Sequence, residues 1–255
     1  MGLDLANYDA LARQGVQQFW AGRSQALDED KGERSQGGER ANVLAGKNMD
    51  GFLAMIGGLV AGNGLANAEI YTSGRPNLTL PGYFRPTKLW DVLVMDGKHL
   101  VAAIELKSHV GSFGNNFNNR TEEAIGTACD LCTGIREGIL RNQPLPFLGW
   151  LILVEDSEGS RRPTQLSSKH FDVRPEFLSR SLAPSPMLVG YLERYDILCQ
   201  RLMQEGLYTR ACVMPSPRSA IQDGAYGEMS AATNLTSFVA GLAGHVATWA
   251  AQRPR

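Results

Sequence analysis

Two apolar runs, Leu89–Met95 and Val101–Val110, stand on either side of Asp96-Gly97-Lys98. Apolar runs bounded by a Gly-bearing turn read as a β-hairpin, and this hairpin fixes what the rest of the chain can build around it. The second run is interrupted by charge, Ile104-Glu105-Leu106-Lys107. Alternation along a strand puts Glu105, Lys107 and His109 on one face and Ile104, Leu106 and Val110 on the other. Charged side chains rarely face a core without partners, and Asp91 is available on the neighbouring strand. Asp91 and Glu105 share a face only if the hairpin loop is odd-numbered. A loop of three or five residues centred on Lys98 is therefore expected, because a two-residue Asp96-Gly97 loop would send them to opposite faces.

The flanking segments suggest the packing partners. Leu5, Tyr8, Leu11, Ala12, Val16 and Phe19 predict a helix within Leu3–Trp20, because they recur at helical spacing. The polar stretch Asp28–Arg40 reads as a mobile loop. A second helix is expected over about Val43–Val60, with Met49, Phe52, Leu53, Ile56 and Leu59 inward. Glu69–Thr72 reads as a short strand, and Arg75–Thr87 as an irregular loop punctuated by proline. Gly111–Arg120 reads as a polar, turn-rich segment before a helix over about Thr121–Arg141. Phe147–Val154 is a buried strand. The order helix, three strands, helix, strand predicts an α/β (α+β) fold, a mixed central β-sheet flanked by helices. The 255 residues suit one domain, with a core over residues 41–155 and a helical, loop-rich portion over 156–255.

Composition narrows the function classes. No apolar run approaches the ~18 residues that suggest a membrane span, and the N-terminus lacks a secretory pattern, so a soluble, cytoplasmic chain is expected. Cys129 and Cys132 form a C-x-x-C spacing, a zinc or redox pattern elsewhere. Here it falls inside an expected helix, and small core residues are the preferred reading. The net charge of −1 offers no overall basic footprint, although Arg161–Arg218 holds nine Lys and Arg against five Asp and Glu.

The pattern Asp91…Glu105-x-Lys107 suits phosphodiester hydrolysis. A phosphodiester repels nucleophiles through its negative oxygens. Two carboxylates can hold Mg²⁺, a hard cation that prefers oxygen ligands, and the cation stabilises charge on the reacting phosphate. The Ile104 carbonyl is a further neutral oxygen, and Lys107 can orient water or neutralise the phosphate. The alternative is a structural ion pair at a sheet edge.

These residues resemble the PD-(D/E)xK nuclease superfamily, with Trp90-Asp91 where Pro-Asp is usual, Glu105-Leu106-Lys107 as the (D/E)xK, and an αβββαβ core. The stretch IELKSHVGSFGNNFNNRTEEAIG, with GKNMDGF (Gly46–Phe52) and KLWDVLV, is similar to type II restriction endonucleases of the XhoI group. The resemblance implies Asp91, Glu105 and Lys107 as catalytic residues. It further implies a Mg²⁺-dependent bacterial homodimer that cuts double-stranded DNA at the palindrome CTCGAG, with a protective methyltransferase as genetic partner.

Other residues are weighed beside this core. Asn115, Asn116, Asn118, Asn119 and Arg120 are expected to grip DNA, since amides and guanidinium groups commonly contact phosphate; otherwise they satisfy their own turn. Arg85 and Lys88 are near enough in sequence to be phosphate contacts. Asp50 and Glu69 are possible auxiliary acids, and His109, beyond Lys107 on the same face, is expected to support the site or to face DNA rather than to act as a general base. A structure-directed repair nuclease and a non-catalytic DNA-binding protein are the competing readings.

Overall fold

The computed structural model describes residues 2–5, 7–30, 49–140, 143–168, 170–180 and 185–253. Helix α1 (Tyr8–Asp30) buries Ala12, Val16 and Phe19 along one stripe. It begins after Leu3 and continues beyond Trp20 into the segment read as a loop, of which residues 31–40 lie outside the described residues. A 3₁₀ turn at Asp50–Phe52 leads into α2 (Leu53–Gly62). The turn lies hard against α1: a Cβ on Gly51 would come 2.4 Å from Gly15 Cα. Of the expected helix over Val43–Val60, the described part is this 3₁₀ turn and α2, and residues 43–48 lie outside the described set.

The strands follow. β1 (Glu69–Tyr71) precedes a small hairpin of β2 (Thr79–Pro81) and β3 (Thr87–Leu89), then β4 (Val92–Asp96) and β5 (His99–His109). Helix α3 (Phe113–Arg136) crosses to β6 (Phe147–Glu155), and a short helix α4 (Glu158–Arg161) leads to the small strands β7 (Thr164–Gln165) and β8 (Met187–Leu188). Helix α5 (Tyr191–Gln204), β9 (Arg210–Ser216) and α6 (Leu235–Ala251) complete the order. The main sheet runs β1-β4-β5-β6-β9. Its first three strands are antiparallel, and β5, β6 and β9 are parallel. β6 is buried throughout, as expected of a central strand covered on both faces.

Two apolar layers enclose this sheet. On one face Val92, Val94, Ile104, Leu106, Leu151 and Met214 pack with residues of α1, α2 and α6. On the other, Leu93, Ala103, Trp150, Ile152 and Val213 pack with α3, α5 and the buried Leu80 and Trp90 of the β2–β3 region. The mixed sheet flanked by helices is the expected fold class. Strand β9, inside the stretch read as helical and loop-rich, extends the sheet beyond residue 155. Among the described residues no helix is long and apolar enough to cross a membrane.

Three expectations change. The turn between β4 and β5 contains two residues, Gly97 and Lys98, because Asp96 pairs with His99; Gly97 has φ +60°, as the first central residue of a tight hairpin turn requires. The register then shifts between Val94 and Met95, which pair with Ala102 and Leu100. Val101 is the additional residue of a β-bulge. The odd residue is thus in the strand rather than the loop, and Val92 pairs with Ile104, which brings Asp91 opposite Glu105. Arg75–Thr87 is not irregular throughout, because Thr79–Pro81 pairs with Thr87–Leu89. Helix α3 begins at Phe113 rather than Thr121: Phe113 and Phe117, one helical turn apart, pack on Tyr191 and Tyr195, leaving the asparagines on the outer side.

Candidate active site

β5 delivers Glu105 and Lys107 to the face covered by α3, while Ile104 and Leu106 anchor the strand in the opposite layer. Glu105 is only 2% exposed, so its charge needs close partners. It has two. Lys88 Nζ donates to Glu105 Oε1 at 2.7 Å, and Lys107 Nζ pairs with Glu105 Oε2. Lys107 also donates to Asp91 Oδ2 at 2.8 Å, and the same oxygen accepts from the Leu106 main-chain N–H at 2.8 Å. Two carboxylates and two ammonium groups therefore form one neutral cluster. Burial alone would push the Lys107 pKa down, but the Glu105 and Asp91 charges outweigh it and hold the ammonium above its ordinary value.

The cluster opens into a cleft of about 690 Å³ lined by Phe84, Arg85, Lys88, Glu105, Lys107 and Arg120, among others. The near wall is the β2–β3 hairpin. Lys88 projects from β3 and lies 5.4 Å from the centre of the buried Trp90 ring. The hairpin tip is tied to α3 by Asp130, whose Oδ1 accepts from the Tyr83 and Phe84 main-chain N–H groups at 2.7 Å each. Arg85 Nε donates to Asp130 Oδ2, also at 2.7 Å. Burial opposes the Asp130 charge, but Arg85 and the two N–H groups hold its carboxyl below the usual range. Sequence reasoning missed Asp130; the available signal was an acidic residue at helical spacing from the buried Thr127, Thr133 and Gly134.

The remaining residues divide. Asn115, Asn116, Asn118 and Asn119 are exposed on the first turns of α3, and Arg120 pairs with Glu123 at 2.6 Å on the cleft wall. Lys88 and Arg85 reach carboxylates in this structure, Glu105 and Asp130 respectively. Glu69 does not join the cluster: it pairs across the sheet with Met95 and accepts from the Tyr71 hydroxyl. Asp50 opens the turn before α2, and its side chain lies outside the described residues. His109 is buried behind the site, 2.6 Å from the Tyr195 hydroxyl through Nδ1, and burial pushes its pKa down to about 4. Cys199 and Cys212 are fully buried core residues.

The donor set suits a hard divalent cation. Asp91 and Glu105 supply carboxylate oxygens on one face, at positions that ammonium groups already occupy. Among the described residues no group of three His, Cys, Asp or Glu side chains is placed to hold a metal ion; main-chain carbonyls, water and phosphate are the usual further ligands of Mg²⁺. Ile104 stands opposite Val92 inside the β4–β5 ladder. Leu106 lies beyond that last rung and sends its N–H to Asp91. A strand residue turns its N–H and C=O to the same edge, so the Leu106 carbonyl also faces the Asp91 side.

Comparison with known proteins adds an independent line. Residues 28–228 match the family model described as restriction endonuclease XhoI. The chain is 65% identical over 211 residues to a type II restriction enzyme XhoI of Xanthomonas vasicola, covering 82% of this chain and 81% of the relative. It is 53% identical over 174 residues to a type II restriction enzyme AbrI of Azospirillum brasilense, covering 67% and 77%. It is 42% identical over 220 residues to a type II restriction enzyme BstVI of Geobacillus stearothermophilus, covering 84% and 93%. No solved structure matches the chain.

Proposed function

The chain belongs to the XhoI restriction endonuclease family, and from that premise we propose that it is a type II restriction endonuclease that hydrolyses phosphodiester bonds of double-stranded DNA with Mg²⁺. The observation that carries the catalytic assignment is Lys107 Nζ held between Asp91 and Glu105 on one sheet face. Asp91 and Glu105 would hold the cation, which would supply Lewis-acid stabilisation of negative charge on the phosphate. Of the two nearby carbonyls, Leu106 is better placed than Ile104 to complete the oxygen set, because Ile104 lies within the ladder.

Lys107, kept protonated by its neighbours, orients the attacking water or neutralises the attacked phosphate. Lys88 donates to Glu105 Oε1 and lines the cleft, where its ammonium group is a further candidate partner for a phosphate. Arg85, Arg120 and the four asparagines supply donors to the DNA backbone. The palindrome CTCGAG, the homodimer and the cytoplasmic bacterial setting with a protective methyltransferase follow from the resemblance to the XhoI group.

The test is incubation of purified protein with unmethylated plasmid and bacteriophage DNA in Mg²⁺ and in EDTA. Discrete fragments in Mg²⁺ alone, with ends mapping within CTCGAG and lost in Glu105→Ala, are the expected result. A smear would replace this reading with a structure-directed nuclease. Intact DNA bound by the protein would leave a non-catalytic binding role.

A further inference from the structure

The tip of the β2–β3 hairpin exposes two large aromatic side chains, Tyr83 at 53% and Phe84 at 70%. Exposed rings of this size at a cleft mouth point to a partner surface. Their setting is built, not slack. The buried Asp130 holds both main-chain N–H groups, and Gly82 is pressed against it: a Cβ there would lie 2.4 Å from Asp130 Oδ2. A nearly fully buried carboxylate is thus committed to fixing a loop whose side chains face outward. The two rings are edge-to-face, 5.0 Å apart at 84°, so they cannot enter one base step together. Phe84 is the more exposed ring and lines the cleft with Lys88, Glu105 and Lys107.

We propose that Phe84, buttressed by Tyr83, is a DNA-contact residue that packs its ring on base or deoxyribose faces beside the scissile phosphodiester. The inference rests on the DNA-cleaving reading above and names a contact that reading does not contain. The occupant follows from continuity: a phosphodiester seated at Glu105 and Lys107 brings its own nucleotides against the same cleft wall. DNA offers apolar faces to such a ring, and aromatic wedges and stacks are an established way for proteins to use them. Arg85 and Lys88, paired with Asp130 and Glu105, line the same cleft wall as Phe84.

The test is equilibrium binding to a labelled duplex carrying the sequence that the wild-type protein cuts. Ca²⁺ replaces Mg²⁺ to prevent turnover, and binding is read across a series of salt concentrations. Loss of one base–aromatic stack raises Kd about tenfold. Phe84→Ala is expected to show that rise with an unchanged slope of log K against log salt, because an apolar contact releases no counterions. Phe84→Trp is expected to restore affinity, and Tyr83→Ala to lose less than Phe84→Ala. Wild-type affinity in Phe84→Ala would overturn the proposal. So would a reduced salt slope, which would assign the loss to displaced cations, or a changed sedimentation coefficient, which would make the rings a protein–protein contact. A wild-type protein that neither binds nor cuts duplex DNA would instead remove the nuclease reading on which the proposal rests.

Discussion

Lys107 illustrates why residue type matters more than charge sum at this site. Removing one member of a buried cluster leaves its partners uncompensated, so Lys107→Met loosens Glu105 and Asp91 as well as removing a donor from the phosphate. Its cleavage rate is expected to fall about 100- to 1,000-fold, the usual cost of losing a transition-state donor. DNA affinity in Ca²⁺ should stay within about threefold of wild type, a range too small for a lost phosphate anchor. Gel-based single-turnover rates and anisotropy check the two halves, and an unchanged rate would return the cluster to a purely structural role. His109 gives a second residue-scale prediction. Between the ordinary histidine value of about 6.5 and the depressed value of about 4, the unfolded chain binds a proton that the folded chain excludes. Stability is therefore present in full above that window and falls as pH is lowered through it. His109→Gln should flatten the decline of Tm between pH 7 and pH 4.5 relative to wild type, as read by thermal denaturation. Equal slopes would show that other groups govern the acid limb.

At the scale of elements, the hairpin brings Asp91 opposite Glu105 by a route other than the expected odd-numbered loop. Asp91 must oppose Glu105, and the parity needed is supplied by Val101 in a bulge while the turn itself has two residues. Deleting Val101 should therefore remove the bulge without changing which residues face each other. Met95 still meets Leu100 and Val94 still meets Ala102, now in regular register, so Asp91 stays opposite Glu105. The buried Val101 side chain is lost, so Tm is expected to fall by several °C while cleavage persists. Loss of cleavage in a deletion variant that stays folded would show that the bulge does more than set the facing. The same comparison explains what was legible. Glu105 and Lys107 stood out because charge inside an apolar, alternating run has few structural explanations, and the strands β5 and β6 followed from the apolar runs themselves. The bulge was hidden, since Leu100, Val101 and Ala102 are all apolar and periodicity does not register one additional residue. Strands β2 and β3 were hidden because Pro81 and Pro86 disguise a hairpin three residues wide. The anchoring role of Asp130 was hidden because its partners are main-chain groups 46 and 47 positions away. Helix α3 extended through Asn115–Asn119 because Phe113 and Phe117 bury against α5, a tertiary gain that outweighs the weak helix propensity of asparagine.

For the whole molecule, the question is how one cleft produces a double-strand break. Among the described residues there is one cluster of Asp91, Glu105 and Lys107, and on the proposed reading one such cluster serves one phosphodiester. A palindrome repeats the same bond on both strands about a two-fold axis, and two copies of the chain related by that axis place a cluster at each. The alternative is a single copy that cuts, releases and returns to the second strand. Subunit mixing separates the two. Wild-type and Lys107→Met chains, co-expressed with different tags and purified through both, form a mixed species with one working cluster. Acting as a dimer, it should convert supercoiled plasmid to open circles, with linear product arising far more slowly than with wild type, and sedimentation should give twice the chain mass. If each copy works alone, purification through both tags should recover almost no protein, and a simple mixture of the two separately purified chains should give linear DNA at about half the wild-type rate, since half the chains remain competent and nothing couples them. The contrast does not depend on the recognition sequence or on which arginine reads it. It depends only on the charge arrangement around Lys107 and on symmetry, so it tests the assembly separately from the chemistry.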